Sequence, residues 1–162
     1  MSENFTIRFA EKEDVGVILD CIKGLAEYEK MLDQVTATEE ILRLWLFEKK
    51  SAEVLIGELD GKAIGFALFF HNFSTFLGKA GLYLEDIFIF PEYRNRGYGK
   101  KFFSKLAQIA KERGCGRMEW SCLDWNEPSI EFYKSLGAVS MDGWTTYRLT
   151  EDKIEKIADN GI

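Results

Sequence analysis

The sequence predicts an α/β layered domain, because strand-like and helix-like segments follow one another along all 162 residues. Apolar residues recur at spacings of three and four in some segments, and they alternate or run continuously in others. Only two prolines interrupt the chain, and no repeat or low-complexity linker divides it. We therefore expect one domain over residues 1–162, with the order strand, two helices, three strands, helix, strand, helix, strand.

The first third of the chain predicts a strand and two helices. Phe5–Phe9 alternates between apolar and polar residues, as a half-buried strand does. Asp14 occupies the position of a helix N-cap. The apolar residues that follow it are spaced for one face of a helix: Val15, Ile18, Leu19, Ile22, Leu25 and Ala26. Thr36 and Glu39 have the spacing of a capping box, which predicts the start of the second helix.

The middle of the chain predicts three strands. Glu53–Leu59 and Ile64–Phe70 are separated by an Asp-Gly pair, which is a strong signal for a hairpin turn. Leu82–Phe90 is an almost continuous apolar run, which is typical of a central strand, and Pro91 should end it.

The rest of the chain predicts helices and strands in alternation. Tyr98–Arg113 carries an apolar stripe at helical spacing and is followed by a glycine, so it predicts an amphipathic helix. Arg117–Leu123 predicts a strand, and Asn126 is placed to cap a short helix. Thr145–Leu149 predicts a last strand before a short C-terminal helix.

Composition narrows the classes of function. The formal net charge of −6 argues against nucleic acid as a partner, because such a partner requires a basic face. An acidic protein is compatible with a cationic substrate. The three cysteines form no CxxC pair, so we expect no disulfide framework and a reducing cytoplasm. We expect no membrane association, since no apolar run is long enough for a signal peptide or a span.

The segment Arg94–Lys100 has the features of a phosphate site. It lies between a predicted buried strand and a predicted helix, where free backbone N–H groups and the helix dipole favour an anion. Gly97 and Gly99 would let the backbone approach a pyrophosphate, and basic side chains add positive charge. The segment matches neither a Walker loop nor the dinucleotide GxGxxG pattern.

This segment resembles the cofactor motif Arg/Gln-x-x-Gly-x-Gly/Ala of the Gcn5-related N-acetyltransferase superfamily, in which Arg94, Gly97 and Gly99 take the fixed positions. The chain is more closely similar to the diamine acetyltransferase group, which includes spermidine/spermine and thialysine acetyltransferases. The segments that carry this similarity are Leu25–Met31, Leu82–Asp86, Pro91–Lys100 and Trp125–Ala138. The resemblance implies a mixed, mostly antiparallel central sheet flanked by helices, and a homodimer. It also implies transfer of an acetyl group from acetyl-CoA directly to a primary amine of a small molecule.

The resemblance also implies roles for individual residues. The backbone of Ile87–Ile89, in the predicted central strand, would pair with the pantetheine arm of the cofactor. Tyr133 would lie at the cofactor as the general acid. The resemblance gives the cofactor site as Ile87, Phe88, Ile89, Arg94, Asn95, Arg96, Gly97, Tyr98, Gly99, Lys100, Asn126, Glu127, Pro128, Ser129 and Tyr133. Glu85 would bind the amine or relay its proton through water. The other predicted substrate residues are Tyr28, Glu29, Asp86 and Asp142.

The residues themselves are consistent with direct transfer. A tyrosine hydroxyl is neutral at pH 7 and can donate a proton to a departing thiolate. No cysteine lies in a recognisable nucleophile motif, no metal-ligand spacing is present, and His71 is expected to be structural. Two alternatives stay open: an acetyltransferase acting on a protein N-terminus or lysine, and a non-catalytic acyl-CoA-binding module.

Overall fold

The computed structural model describes residues 3–161, which form two compact units, one ending at Ser121 and one beginning at Cys122. The first unit contains strands β1 (Phe5–Phe9), β2 (Glu53–Leu59), β3 (Lys62–Ser74), β4 (Lys79–Ile89) and β5 (Arg117–Trp120), and helices α1 (Val15–Tyr28), α2 (Glu39–Leu42) and α3 (Tyr98–Glu112). The second unit contains helices α4 (Glu127–Ser135) and α5 (Glu151–Asn160).

The five strands form one sheet in the order β1-β2-β3-β4-β5. β1 to β4 pair antiparallel with their neighbours, and β5 alone runs parallel to β4. The predicted hairpin turn is present, because Asp60 and Gly61 both take left-handed backbone conformations, with φ of 50° and 84°. The prediction of an α/β fold with a mixed, mostly antiparallel sheet is therefore confirmed.

Helices cover both faces of this sheet. Neighbouring residues of a strand point to opposite faces. On β2, Ile56 belongs to the core under α1 and α2, whereas the α-carbon of Gly57 faces the ring of Phe102 on α3. α1 contributes Val15, Ile18 and Cys21 to the first core, where they pack with buried residues of the sheet that include Phe66 and Phe88. No helix among residues 3–161 is long and apolar enough to cross a membrane.

The second helix begins two residues later than the capping box predicts. Thr38, rather than Thr36, is the N-cap, and its hydroxyl accepts a hydrogen bond from the backbone N–H of Ile41 at 3.2 Å. The helix then widens into a π-helical segment over Arg43–Glu48. Asp14 does precede α1, but its carboxylate accepts bonds from Arg8 and from the N–H of Glu11 instead of capping the helix.

The prediction of a last strand at Thr145–Leu149 is wrong for this structure. The segment forms no strand, and all five of its residues are exposed. A strand exists only where a neighbouring strand takes its backbone hydrogen bonds. The described part of the second unit contains no other strand to do so. The C-terminal helix that should follow is present as α5.

Gly65 offers a test of how closely β3 and β4 pack. A Cβ built on Gly65 would lie 2.5 Å from the backbone carbonyl oxygen of Phe88, an atom that cannot move without breaking the sheet. We expect Gly65→Ala to lower the free energy of unfolding in urea by about 2–3 kcal/mol. Gly143→Ala is the matched control, since a Cβ there meets nothing within 4 Å. Equal stability of the two variants would contradict the packing described.

Candidate active site

The two edges of β4 are paired over different lengths. Along β3 the pairing runs from Lys79 to Ile89, whereas along β5 it covers only Gly81–Leu84. Beyond Leu84, the edge of β4 on the β5 side has no strand of the sheet beside it. Backbone groups of a strand point alternately to its two sides. The stretch Ile87–Ile89 can therefore present N–H and C=O groups to an extended ligand, as the sequence predicts for a pantetheine arm.

A β-bulge lies where this unpaired edge begins. Leu68 pairs with Asp86 and Phe69 pairs with Leu84, so Glu85 is an extra residue with no partner on β3. A bulge interrupts the ladder and redirects the side chains around it. Here it leaves Glu85 exposed, whereas Asp86 is partly buried. The two carboxylates thus have different environments.

Asp86 lies in an environment that disfavours its charge. Burial, together with the negative charges of Glu85 and Glu29, raises its pKa from the ordinary 3.8 to about 6. Burial also raises the pKa of Glu29. No cation from residues 3–161 forms an ion pair with Asp86 or Glu29. The structure therefore brings three predicted substrate residues into one negatively charged cluster, which a cationic amine would neutralise.

The end of α1 contacts the loop that follows β4. The guanidinium of Arg94 lies 5.3 Å from the ring centre of Tyr28 and 5.1 Å from that of Phe88. Its Nε donates to the carbonyl oxygen of Ile89 at 2.8 Å. Arg94 therefore holds the loop against the end of β4 and against Tyr28 at the end of α1. Tyr28 directly precedes Glu29, a member of the acidic cluster.

The loop itself has the conformation of an anion site. Asn95 and Gly97 are both left-handed, with φ of 63° and 84°, and they bring the chain into the first turn of α3 at Tyr98. A Cβ built on Gly99 meets no protein atom within 4 Å. Protein packing therefore leaves open space beside this first turn, where helix N–H groups lack intrahelical partners. These features fit a pyrophosphate, and the exposed Lys100 adds positive charge.

Sequence reasoning missed one residue that organises this loop. The carboxylate of Glu3 accepts a hydrogen bond from Arg96 Nη1 at 3.0 Å and from the Tyr98 hydroxyl at 2.7 Å. The Tyr98 ring also stacks on Phe5, with the ring centres 4.3 Å apart. The N-terminal segment thus fixes both residues that flank Gly97. No sequence signal could reveal this contact, because more than 90 residues separate the partners.

The second unit carries the remaining predicted residues. Asn126 is buried, and its backbone carbonyl accepts the first bond of α4, although its side chain makes no capping bond. Glu127, Pro128 and Ser129 form the first turn of α4, and Tyr133 is half-buried near its end. Asp142 is exposed in the following loop and accepts a bond from the Ser140 hydroxyl at 3.1 Å.

Other candidates for chemistry in the first unit lie in structural positions. His71 Nε2 is 3.4 Å from Arg113 Nη1, and Arg113 forms a two-pronged ion pair with Glu53 at 2.6 and 2.9 Å. Cys21 is fully buried, and burial raises the pKa of its thiol to about 12, which disfavours the nucleophilic thiolate. Within residues 3–161, no group of His, Cys, Asp and Glu side chains is arranged to hold a metal ion.

Comparison with known proteins gives one consistent result. The model of the acetyltransferase (GNAT) family matches residues 21–138. A thialysine N-epsilon-acetyltransferase of Bos taurus is 38% identical, over 94% of this chain and 96% of that protein. A spermidine/spermine N(1)-acetyltransferase-like protein 1 of Homo sapiens is 33% identical, over 95% of this chain and 24% of that protein.

A solved structure of an integron cassette protein from the mobile metagenome of V. cholerae superimposes with a TM-score of 0.78 and 25% identity, covering 96% of this chain and 98% of that one. Acetyltransferases of the GNAT family use acetyl-CoA as co-substrate. The strand, loop and helix that carry the site all fall within the matched residues. The chain therefore belongs to the GNAT family and is an N-acetyltransferase.

Proposed function

We propose that this enzyme transfers the acetyl group of acetyl-CoA to a primary amine of a small molecule, either a lysine-like amino acid such as thialysine or a diamine or polyamine. The observation that carries the proposal is the cluster of Glu29, Glu85 and Asp86 at the unpaired edge of β4. An ammonium group favours a site with uncompensated carboxylates. The similarity to thialysine acetyltransferases points to the same class of acceptor.

In this proposal the cofactor is held mainly by backbone groups. The N–H groups at the start of α3, with Asn95, Arg96 and Lys100, bind the pyrophosphate. The unpaired edge at Ile87–Ile89 binds the pantetheine arm, and one of its N–H groups polarises the thioester carbonyl. The family resemblance adds Asn126 and the first turn of α4 to the residues that contact the cofactor.

The proposed chemistry is a direct transfer. The amine nitrogen forms a bond to the thioester carbonyl carbon, the carbon–sulfur bond breaks, and the sulfur leaves with the bonding electron pair. The amine must first lose a proton, which Glu85 accepts directly or through water. Asp86 and Glu29 hold the ammonium form as it arrives. The Tyr133 hydroxyl then gives its proton to the departing thiolate.

We further propose that the protein works in the cytoplasm as a homodimer. Cys21, Cys115 and Cys122 are all free thiols in the structure, which fits a reducing compartment.

A panel of acceptors tests the proposed substrate class. We expect the purified enzyme to release CoA from acetyl-CoA in the presence of thialysine, lysine, ornithine, putrescine or spermidine. The best of these should have a kcat/KM at least tenfold above that of a peptide with a free N-terminal alanine, since a compact acidic cluster suits a small cation. A peptide that is turned over faster would contradict the proposal. CoA binding without any turnover would favour a non-catalytic module.

The raised pKa of Asp86 predicts a specific pH dependence. Because the folded pKa of about 6 lies above the ordinary 3.8, folding takes up a proton, and Asp86 lowers the stability of the fold as pH rises from about 4 to 6. The shift corresponds to about 3 kcal/mol, since a tenfold change in an equilibrium constant is about 1.4 kcal/mol. Asp86→Asn should therefore gain stability over the wild type across this pH range in urea unfolding. Its kcat/KM at pH 8 should fall at least tenfold.

The control for this experiment is Asp33→Asn, which changes an exposed carboxylate in the turn Leu32–Gln34. Its stability should differ from that of the wild type by less than about 0.5 kcal/mol, as is usual for exposed substitutions. If Asp86→Asn behaves in the same way, Asp86 is not desolvated as described. If its stability changes but kcat/KM does not, the residue does not serve the amine.

Tyr133 is tested by removing its hydroxyl. We expect Tyr133→Phe to lower kcat about 100-fold, because general acid catalysis contributes rate factors of about that size or more. Affinity for CoA, measured by titration calorimetry, should change by less than about threefold. Tyr147→Phe is the control, since Tyr147 is 92% exposed and belongs to no predicted site. An unchanged kcat in Tyr133→Phe would remove the residue from the mechanism.

A further inference from the structure

Arg96 occupies the centre of the loop that is proposed to bind the cofactor pyrophosphate. It lies between Asn95 and Gly97, which are both left-handed, with φ of 63° and 84°. Successive backbone N–H groups around left-handed residues form concave sites for anions. The side chain at this position is therefore placed to add a guanidinium charge to the bound phosphates.

In the structure, the charge of Arg96 is already engaged by a carboxylate of the same chain. Nη1 of Arg96 lies 3.0 Å from Oε1 of Glu3, and among residues 3–161 no other carboxylate forms an ion pair with this arginine. Its Nη2 donates a long bond of 3.4 Å to the backbone carbonyl oxygen of Glu92. Glu3 is thus the main partner that orients this guanidinium.

A second contact holds Glu3 in this position. Its Oε2 accepts a hydrogen bond from the Tyr98 hydroxyl at 2.7 Å. Tyr98 is itself buried, and its ring stacks on Phe5. The bond to Glu3 is the largest cause of a raised pKa of Tyr98, so the hydroxyl stays protonated and keeps donating at neutral pH. The carboxylate therefore stays anchored beside the loop even when Arg96 leaves it.

A phosphate group at the loop would compete with Glu3 for the same guanidinium. The ion pair is exposed, with exposed side-chain fractions of 42% for Arg96 and 52% for Glu3, so it contributes little free energy. A pyrophosphate presents several charged oxygens and can bond a guanidinium in the bidentate geometry that makes such pairs strong. The exchange of partners is thus favourable, but the cost of breaking the first pair is subtracted from the affinity for the cofactor.

We propose that Glu3 is an internal competitor of the cofactor for Arg96, and that it lowers the affinity of the enzyme for acetyl-CoA and for CoA. Arg96 pairs with Glu3 in the free enzyme and with the pyrophosphate in the complex. When CoA leaves after the transfer, Glu3 takes Arg96 back, which favours release of the product. This inference rests on the proposed pyrophosphate site, and no residue of the second unit takes part in it.

Removal of the charge on Glu3 gives the first test. Glu3→Gln keeps an oxygen that can accept from Tyr98 but loses the charge that holds Arg96. In titration calorimetry at low salt, we expect CoA to bind this variant about two- to fivefold more tightly than the wild type, the range that exposed ion pairs span. The dissociation rate of CoA, measured by stopped flow, should fall by a similar factor. The difference between the two proteins should shrink in about 0.5 M NaCl, which screens exposed charges.

Two further variants test whether the effect passes through Arg96. Glu92→Gln is the matched control, because Glu92 lies in the turn before the loop and its carboxylate forms no ion pair with any residue in 3–161. Its affinity for CoA should stay within about 1.5-fold of the wild type. Arg96→Ala should weaken CoA binding at least about threefold. Adding Glu3→Gln to Arg96→Ala should then change the affinity by less than about 1.5-fold, because the competitor has lost its target.

Unchanged or weaker CoA binding in Glu3→Gln would overturn the proposal, since Glu3 would then serve only to order the loop. An equal gain in affinity in the Arg96→Ala background would overturn it as well. If Arg96→Ala and Lys100→Ala both leave the affinity for CoA unchanged, the pyrophosphate does not bind at this loop, and the role of Glu3 falls with that site. If both weaken binding while Glu3→Gln has no effect, the cofactor site stands and the role of Glu3 alone is wrong.

Discussion

The unequal pairing of β4 is the constraint on which the candidate active site depends. β4 is paired with β3 from Lys79 to Ile89 except at the bulge, so its position is fixed, yet β5 accompanies it only as far as Leu84. A strand that lost both neighbours would fray, and one that kept both would have no backbone groups to offer. Pairing on one side alone gives a rigid strand with an accessible edge. The bulge at Glu85 lies where this edge begins, so carboxylates and backbone donors occur within a few residues of each other.

The loop after β4 is ordered by contacts from distant parts of the chain. Arg94 bonds the carbonyl of Ile89, and its guanidinium lies over Tyr28 at the end of α1. Glu3 binds Arg96 and Tyr98 from the N-terminal segment. The pair between Glu3 and Arg96 is exposed and contributes little to stability. This weak pair still orients the Arg96 side chain beside the loop. A pyrophosphate carries more negative charge than Glu3, so it can replace Glu3 as the partner of Arg96 at a small cost in free energy.

Local signals in the sequence predicted the elements that local physics determines. The helix that begins at Tyr98, the hairpin turn at Asp60 and the glycine-rich loop follow from spacing and turn chemistry, and all are present. The start of the second helix differs from the prediction because Thr36 and Thr38 both offer a hydroxyl, and the structure uses that of Thr38. The bulge at Glu85 and the contact of Glu3 depend on registers and distances between remote segments. Thr145–Leu149 has a strand-like composition, but composition cannot supply the neighbour that a strand requires.

The desolvation of Asp86 shows why a stable fold and a functional site oppose each other here. The strand that carries Asp86 also contributes Phe88 to the core under α1, so the carboxylate is buried by the same packing that stabilises the first unit. An asparagine would fit the same space without a charge and would make the folded state more stable above about pH 6. A buried carboxylate that lowers the stability of the fold is typical of functional sites, where its negative charge serves binding or catalysis. An arriving ammonium group would supply the missing positive charge, and the free energy stored in the unpaired carboxylate would then contribute to substrate binding.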